Sequence, residues 1–160
     1  MISIRAAQSD DLPEIFALWQ ALMANGEASD PRYRLAPNGA DRMRQYIHDG
    51  WFVDRPFPRT LLAVDPQPVG FIQGVIVDSL GILDFAPSVR IGDLWVNPEY
   101  RHRGIGRSLV AHFVDRATAA GFPRIEVGTL IRDERAVAFW RALGFVDLNV
   151  ILAREPKAIG

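Results

Sequence analysis

Residues Ile91 to Leu109 read IGDLWVNPEYRHRGIGRSL. Ile91–Val96 has the composition of a strand, Pro98 marks a turn, and Arg101, Arg103, Gly104 and Gly106 lie in a loop that runs into a helix. A glycine loop at a helix start is an anion site, because the first backbone N–H groups of a helix have no intrahelical acceptor. The helix macrodipole adds partial positive charge at the same end, and Arg101, Arg103 and Arg107 add full charges. Such a loop suits a pyrophosphate. Two glycines can also do no more than shape a turn, so the pair by itself decides nothing.

Two familiar nucleotide motifs fail on inspection. The dinucleotide fingerprint needs a third small residue three places on, where this chain has Leu109. A P-loop needs Gly-Lys-Ser/Thr, and the only lysine is Lys157. What fits is Arg101-x-x-Gly104-x-Gly106 preceded by Asp93-Leu94-Trp95-Val96-x-Pro98, with Asp133-x-x-Ala136-x-x-Phe139-Trp140-x-x-x-Gly144-Phe145 downstream. The first piece resembles the acetyl-CoA-binding motif of the GNAT N-acetyltransferase superfamily, and the second resembles that family's next motif. The two occur in the family's order, joined by a helix and a strand of the expected length.

Working outward, 160 residues suggest a single domain spanning 1–160, large enough for a substantial core. The formal net charge of −1 gives no global pull toward nucleic acid or anionic membrane, which leaves the local cluster at 101–107 as the informative charge. With no cysteine, disulfides, thiolate metal sites and cysteine nucleophiles are excluded. The three histidines show no metal-ligand spacing, so no metal is expected. The start MISIRAAQSDD lacks the apolar run of a signal peptide, and Val69–Val77, the longest uncharged apolar run, is strand-sized. A soluble cytoplasmic protein is the expectation.

Ile2–Ala6 alternates as a first strand. Ser9 or Asp10 can cap a helix that tolerates Pro13 in its first turn, buries Ile15, Leu18, Trp19 and Leu22, and ends at Gly26. Glu27–Pro37 is a polar loop, Asn38–His48 a second helix, and Asp49–Arg59 an irregular aromatic stretch. Thr60–Val64 and Val69–Val77 read as antiparallel strands across the turn Asp65-Pro66-Gln67-Pro68. A loop over 78–88 leads to the strand Val89–Val96. The helix Ile105–Ala120 buries Leu109, Val110, Phe113, Val114 and Ala117, and Gly121 stops it. A strand Arg124–Thr129 follows, then a short helix capped by Asp133 and stopped by Gly144, then a hairpin of Phe145–Asp147 with Val150–Arg154. The expected class is α/β (α+β): a mixed, mostly antiparallel sheet with helices on both faces. The resemblance adds that its two central parallel strands are splayed at the cofactor site.

The resemblance implies acetyl transfer from acetyl-CoA to an amine. The loop Arg101, His102, Arg103, Gly104, Ile105, Gly106, Arg107 and Ser108 would hold the pyrophosphate. Pantetheine would lie along Leu94, Trp95 and Val96 with Val127–Thr129 opposite, as a surrogate strand on an unpaired edge. The Leu94 N–H would stabilise the tetrahedral oxyanion, and Asp133, Ala136, Phe139 and Trp140 would complete the cofactor contacts. The family commonly has tyrosine where this chain has Trp140, there serving as acid to the departing thiolate. An indole N–H cannot serve, but a thiol of pKa about 8.5 leaves unaided at a penalty of only ~2 kcal/mol at pH 7. Trp140 then either donates a hydrogen bond to sulfur or packs.

Removing a proton from an alkyl ammonium of pKa ~10.4 costs about 4–5 kcal/mol at pH 7. Many relatives carry a glutamate at the position of Gly92; here Asp93 is the first candidate base, acting through water, and a structural partner for an N–H or an arginine is its other role. Glu126, Asp84 and His48 are weaker candidates. Arg32 and Arg34 can hold a substrate carboxylate with Tyr33 packed over it, or be simply solvated. The short last hairpin leaves the acceptor side open, so a homodimer is expected. Three functions follow for test: an N-acetyltransferase acting on a primary amine of a small molecule, amino acid or peptide; an acyl-CoA-binding module without turnover; and nucleic-acid binding, which near-zero net charge disfavours.

Overall fold

A computed structural model describes residues 1–78 and 86–153. The chain divides into two compact units, Met1–Gly128 and Thr129–Gly160. The first holds β1 (Ser3–Ala6), α1 (Leu12–Ser29), α2 (Gly39–Gly50), β2 (Thr60–Asp65), β3 (Gln67–Val77), β4 (Ser88–Val96), α3 (Ile105–Ala119) and β5 (Ile125–Val127). The second holds α4 (Glu134–Ala142). The five strands form one sheet in chain order, antiparallel throughout except for the parallel pair β4–β5. A parallel neighbour requires a crossover, and α3 supplies it.

Strand periodicity sorts the sheet residues between two faces. Leu62, Phe71 and Trp95 cluster with Ile15, Leu18 and Trp19 of α1, Ile47 of α2 and Trp51 at the end of α2. The opposite face receives α3, whose Phe113 ring lies so near the backbone that a Cβ on Gly74 would approach it to 2.5 Å. Of the α3 positions expected to be buried, Leu109, Val110, Phe113 and Ala117 are; Val114 is only partly buried, and Ile105 is buried in addition.

Several boundaries differ from the sequence-based expectation. α1 does not stop at Gly26 but continues to Ser29, with the Asp30 N–H donating to Gly26 O (2.8 Å). The missing side chain at Gly26 instead makes room for Tyr33, whose ring would lie 3.2 Å from a Cβ there. β2 and β3 run almost into one another, with Asp65 opposite Gln67 and Pro68 inside β3, where a bulge at Ala63/Val64 takes up the missing proline donor. β5 is half the expected strand, because pairing with β4 ends at Ile91–Val127. The expected final hairpin is absent among the described residues: 145–153 carry no strand, and Val146, Leu148, Val150, Ile151 and Leu152 are exposed. Alternation supplies strand propensity, but no neighbouring strand is there to make the ladder. Most of the 78–88 loop, with Asp84, lies outside the described residues.

Within the second unit, Asp133 Oδ1 accepts the Ala136 N–H (3.0 Å) as the expected cap of α4. Gly144 closes that helix at φ 88°, and the Phe145 N–H donates to Trp140 O (3.2 Å).

Candidate active site

The loop between β4 and α3 is built from two left-handed residues, His102 (φ 60°) and Gly104 (φ 78°), the latter at the N-terminus of α3. Alternating left-handed and ordinary residues is the kind of backbone that makes anion-binding concavities in proteins. The Arg101 N–H donates to Pro98 O (3.1 Å), and the Ser108 N–H starts the helical ladder on Gly104 O (2.9 Å). The six N–H groups between them, His102 to Arg107, have no partner among the described residues. His102, Arg103, Gly104 and Arg107 are exposed. Arg101 is used differently: its guanidinium lies 4.5 Å from the Trp95 ring, and Nε donates to Val96 O (2.9 Å). Arg103 lies over Tyr100 at 5.3 Å.

β4 contains a bulge. Gln73 faces Asp93 and Gly74 faces Ile91, which leaves Gly92 as the extra residue. Pairing with β5 also ends at Ile91, so the bulge falls where the two parallel strands part. Its effect on phase is chemical. The Val89 N–H donates toward β5, to Arg124 O (3.0 Å), whereas past the bulge the Asn97 N–H donates toward β3, to Val69 O (2.9 Å). By the alternation of an antiparallel ladder, Asn97, Trp95 and Asp93 bond to β3, and Leu94 and Val96 turn their backbone groups to the edge that β5 has left. Leu94 therefore presents N–H and C=O to the edge beyond the end of β5. Trp95 does not: its backbone serves the ladder and its side chain the core, with Nε1 donating to Asn97 Oδ1 (3.0 Å).

Asp93 is half-buried on the α1/α2 face and makes no hydrogen bond or ion pair among the described residues. Burial pushes its carboxyl up to about 6. A carboxylate that is desolvated yet unpaired is suited to accept a proton near neutrality. Glu126 is the opposite case. Burial raises its pKa, but bonds from Arg90 (3.0 Å), Ser88 (3.2 Å) and Arg124 (2.9 Å) outweigh that and hold it below the usual range. It is an ion-pair centre on the closed end of the β4–β5 pair. His48 pairs with Asp49 at 2.8 Å on the exposed side of α2.

In the acceptor loop, Arg32 is bonded to Asp30 and Arg34 to Glu27 (2.9 Å), so neither charge stands alone, while Tyr33 rests against α1. In the second unit Trp140 is 8% exposed and lies edge-on between Phe139 (5.1 Å) and Phe145 (5.2 Å), as a packed ring would. Among the described residues no group of three or more His, Asp or Glu side chains is arranged to hold a metal, and no helix is long and apolar enough to cross a membrane. Sequence reasoning missed Gln73, the buried partner of Asp93 across the bulge, because register between distant strands is not written in either strand.

The chain belongs to the acetyltransferase (GNAT) family, whose sequence profile matches residues 17–145, and it is an enzyme of the N-acetyltransferase kind. It is 28% identical over 154 residues, 92% of this chain and 86% of the relative, to thialysine N-epsilon-acetyltransferase of Bos taurus. It is 25% identical over 100 residues to the [ribosomal protein bS18]-alanine N-acetyltransferase of Salmonella typhimurium, a match covering 62% of each chain. Several such relatives are matched over less than two thirds of their own length. In fold it is similar to AAC(6')-Iy, solved in complex with the bisubstrate analogue CoA-S-monomethyl-acetylneamine (TM-score 0.71, 20% identity, 98% of this chain and 99% of that one).

Proposed function

We propose that the chain uses acetyl-CoA to acetylate a primary amine of a small molecule, amino acid or peptide by direct attack. The observation that carries this reading is the run of six unbonded N–H groups, His102 to Arg107, at the end of a strand whose Leu94 N–H and C=O face an open edge, with the Val96 C=O held by Arg101. A diphosphate fits the first and a chain of pantetheine amides the second. When bound, acetyl-CoA supplies the activated acyl group. Asp93 takes one proton from the R–NH3⁺ acceptor, and the freed nitrogen lone pair forms the C–N bond at the thioester carbon. The Leu94 N–H receives the oxyanion. Collapse breaks the C–S bond, the thiolate leaves with the bonding pair, and the second nitrogen proton passes to it or to solvent. Asp133, Ala136, Phe139 and Trp140 enter through the motif resemblance alone. A substrate carboxylate at Arg32 or Arg34 would displace Asp30 or Glu27. That the thialysine N-epsilon-acetyltransferase and the ribosomal-protein alanine N-acetyltransferase above are named for acetylating amines supports the acceptor class. The reading includes a homodimer in the cytoplasm.

A panel of amines with acetyl-CoA and a thiol-detecting reagent tests it. Amine-dependent release of CoA is expected. Stabilisation by CoA without release from any amine would leave the binding module, and no stabilisation would overturn both.

A further inference from the structure

Beside the row Leu62, Phe71 and Trp95, the register from β2 through β3 to β4 lines up a polar row of Thr60, Gln73 and Asp93. Thr60 (2% exposed) donates to Trp51 O at 2.7 Å and is accounted for by that bond. Gln73 (5% exposed) is not accounted for so simply. Its Nε2 donates to Gly74 O (2.9 Å), which fixes the amide and turns Oε1 the other way. Oε1 points at Gly92, lying 2.9 Å from where a Cβ would stand on that residue. Gly92 is the exposed, extra residue of the bulge, so a side chain there would cover the oxygen, and its absence leaves it open. An oriented acceptor oxygen thus lies at the bulge in the row that holds Asp93, with no side chain on Gly92 to close the gap over it.

We propose, resting on the function above, that Gln73 is a positioning residue whose Oε1 receives one N–H of the acceptor amine through the gap at Gly92, aiming the nitrogen lone pair while Asp93 takes the proton. The acceptor ammonium has three N–H bonds: one proton goes to Asp93, one N–H is held by Gln73, and the last leaves the nitrogen after the C–N bond has formed and the C–S bond has broken. A site holding one N–H while another proton is removed favours primary over N-methylated amines, because the methylated amine keeps one N–H fewer after deprotonation.

The experiment compares the wild-type chain, Gln73→Met, Gln73→Asn and Gly92→Ala on one primary amine and its N-methyl counterpart. Gln73→Met is expected to lower kcat/KM for the primary amine about tenfold, the size of one neutral hydrogen bond, with the KM for acetyl-CoA within twofold of wild type. It is also expected to narrow the primary-over-N-methyl preference. Gln73→Asn, which withdraws the oxygen by one methylene, and Gly92→Ala, which covers it, are expected to do the same if Gln73→Met fails to fold. Gly92→Ala combined with Gln73→Asn is expected to lose no more than the worse single change. Unchanged preference in folded variants, or a loss shared equally by acetyl-CoA, overturns the role of Gln73. Failure of the wild-type chain to release CoA with any amine overturns the underlying function and this role with it.

Discussion

Asp93 is costly to the fold it sits in. Its carboxyl is raised to about 6 by burial, so the ionised form is disfavoured in the folded chain relative to the unfolded one. Between the ordinary carboxylate value and pH 6 the folded state binds the extra proton, and stability falls as pH rises through that window. Above it the deficit is complete, on the order of 3 kcal/mol. Asp93→Asn is therefore expected to melt higher than wild type at pH 8, with that advantage shrinking as pH drops to 4.5 in a series of thermal melts. Activity moves the other way. The wild-type kcat/KM for amine should fall below pH 6 as Asp93 takes up its proton. Asp93→Asn should lower kcat/KM by roughly 10²–10⁴ and abolish that acid limb, the usual contribution of a general base. A carboxylate in this position was legible from one strand. What the sequence could not supply was its lack of a hydrogen-bond or ion-pair partner among the described residues, since a structural ion pair was an equal expectation.

At the scale of elements, the β4–α3 connection joins three devices: the bulge at Gly92, the Arg101 guanidinium on Val96 O and Trp95, and the left-handed pair His102 and Gly104. Space around Gly104 is open, so only backbone conformation resists a side chain there. Gly104→Ala should cost about 1–2 kcal/mol for the left-handed conformation, a fall in Tm of roughly 2–8 °C, together with weaker CoA binding by isothermal titration. Arg101→Lys is not conservative, because an ammonium cannot both lie flat on Trp95 and donate from Nε to Val96 O. Its expected effect is weaker CoA binding that added salt does little to reproduce, unlike the loss of Arg103 or Arg107, whose charges are exposed and screened. The motif was legible here as a loop of the right charge and size. That Arg101 braces the strand, with its guanidinium on Val96 O and Trp95, is a matter of packing.

For the molecule as a whole, a ligand that binds only the folded chain stabilises it by mass action. CoA at about one hundred times its Kd should add ~2.7 kcal/mol, raising Tm by roughly 5–10 °C at this chain length. The exposed apolar run 146–152, with Leu148 at 64% and Ile151 at 89%, supports the proposed homodimer, since so much apolar surface at one place is uncommon on a monomer. Light scattering should give twice the chain mass, and Leu148→Asp with Ile151→Asp should give the single chain.

Local chemistry determined much on its own. Helical spacing marked the buried face of α3, Asp133 and Gly144 marked the ends of α4, and Gly104 marked the turn into α3, because caps, turns and periodicities act within a few residues of themselves. Only the tertiary structure decided where β4 and β5 part, that Leu94 and not Trp95 faces the open edge, and that Gln73 stands beside Asp93. Each of these depends on the register between strands far apart in sequence. One extra residue in a ladder reverses which groups point outward, and no local pattern records that choice.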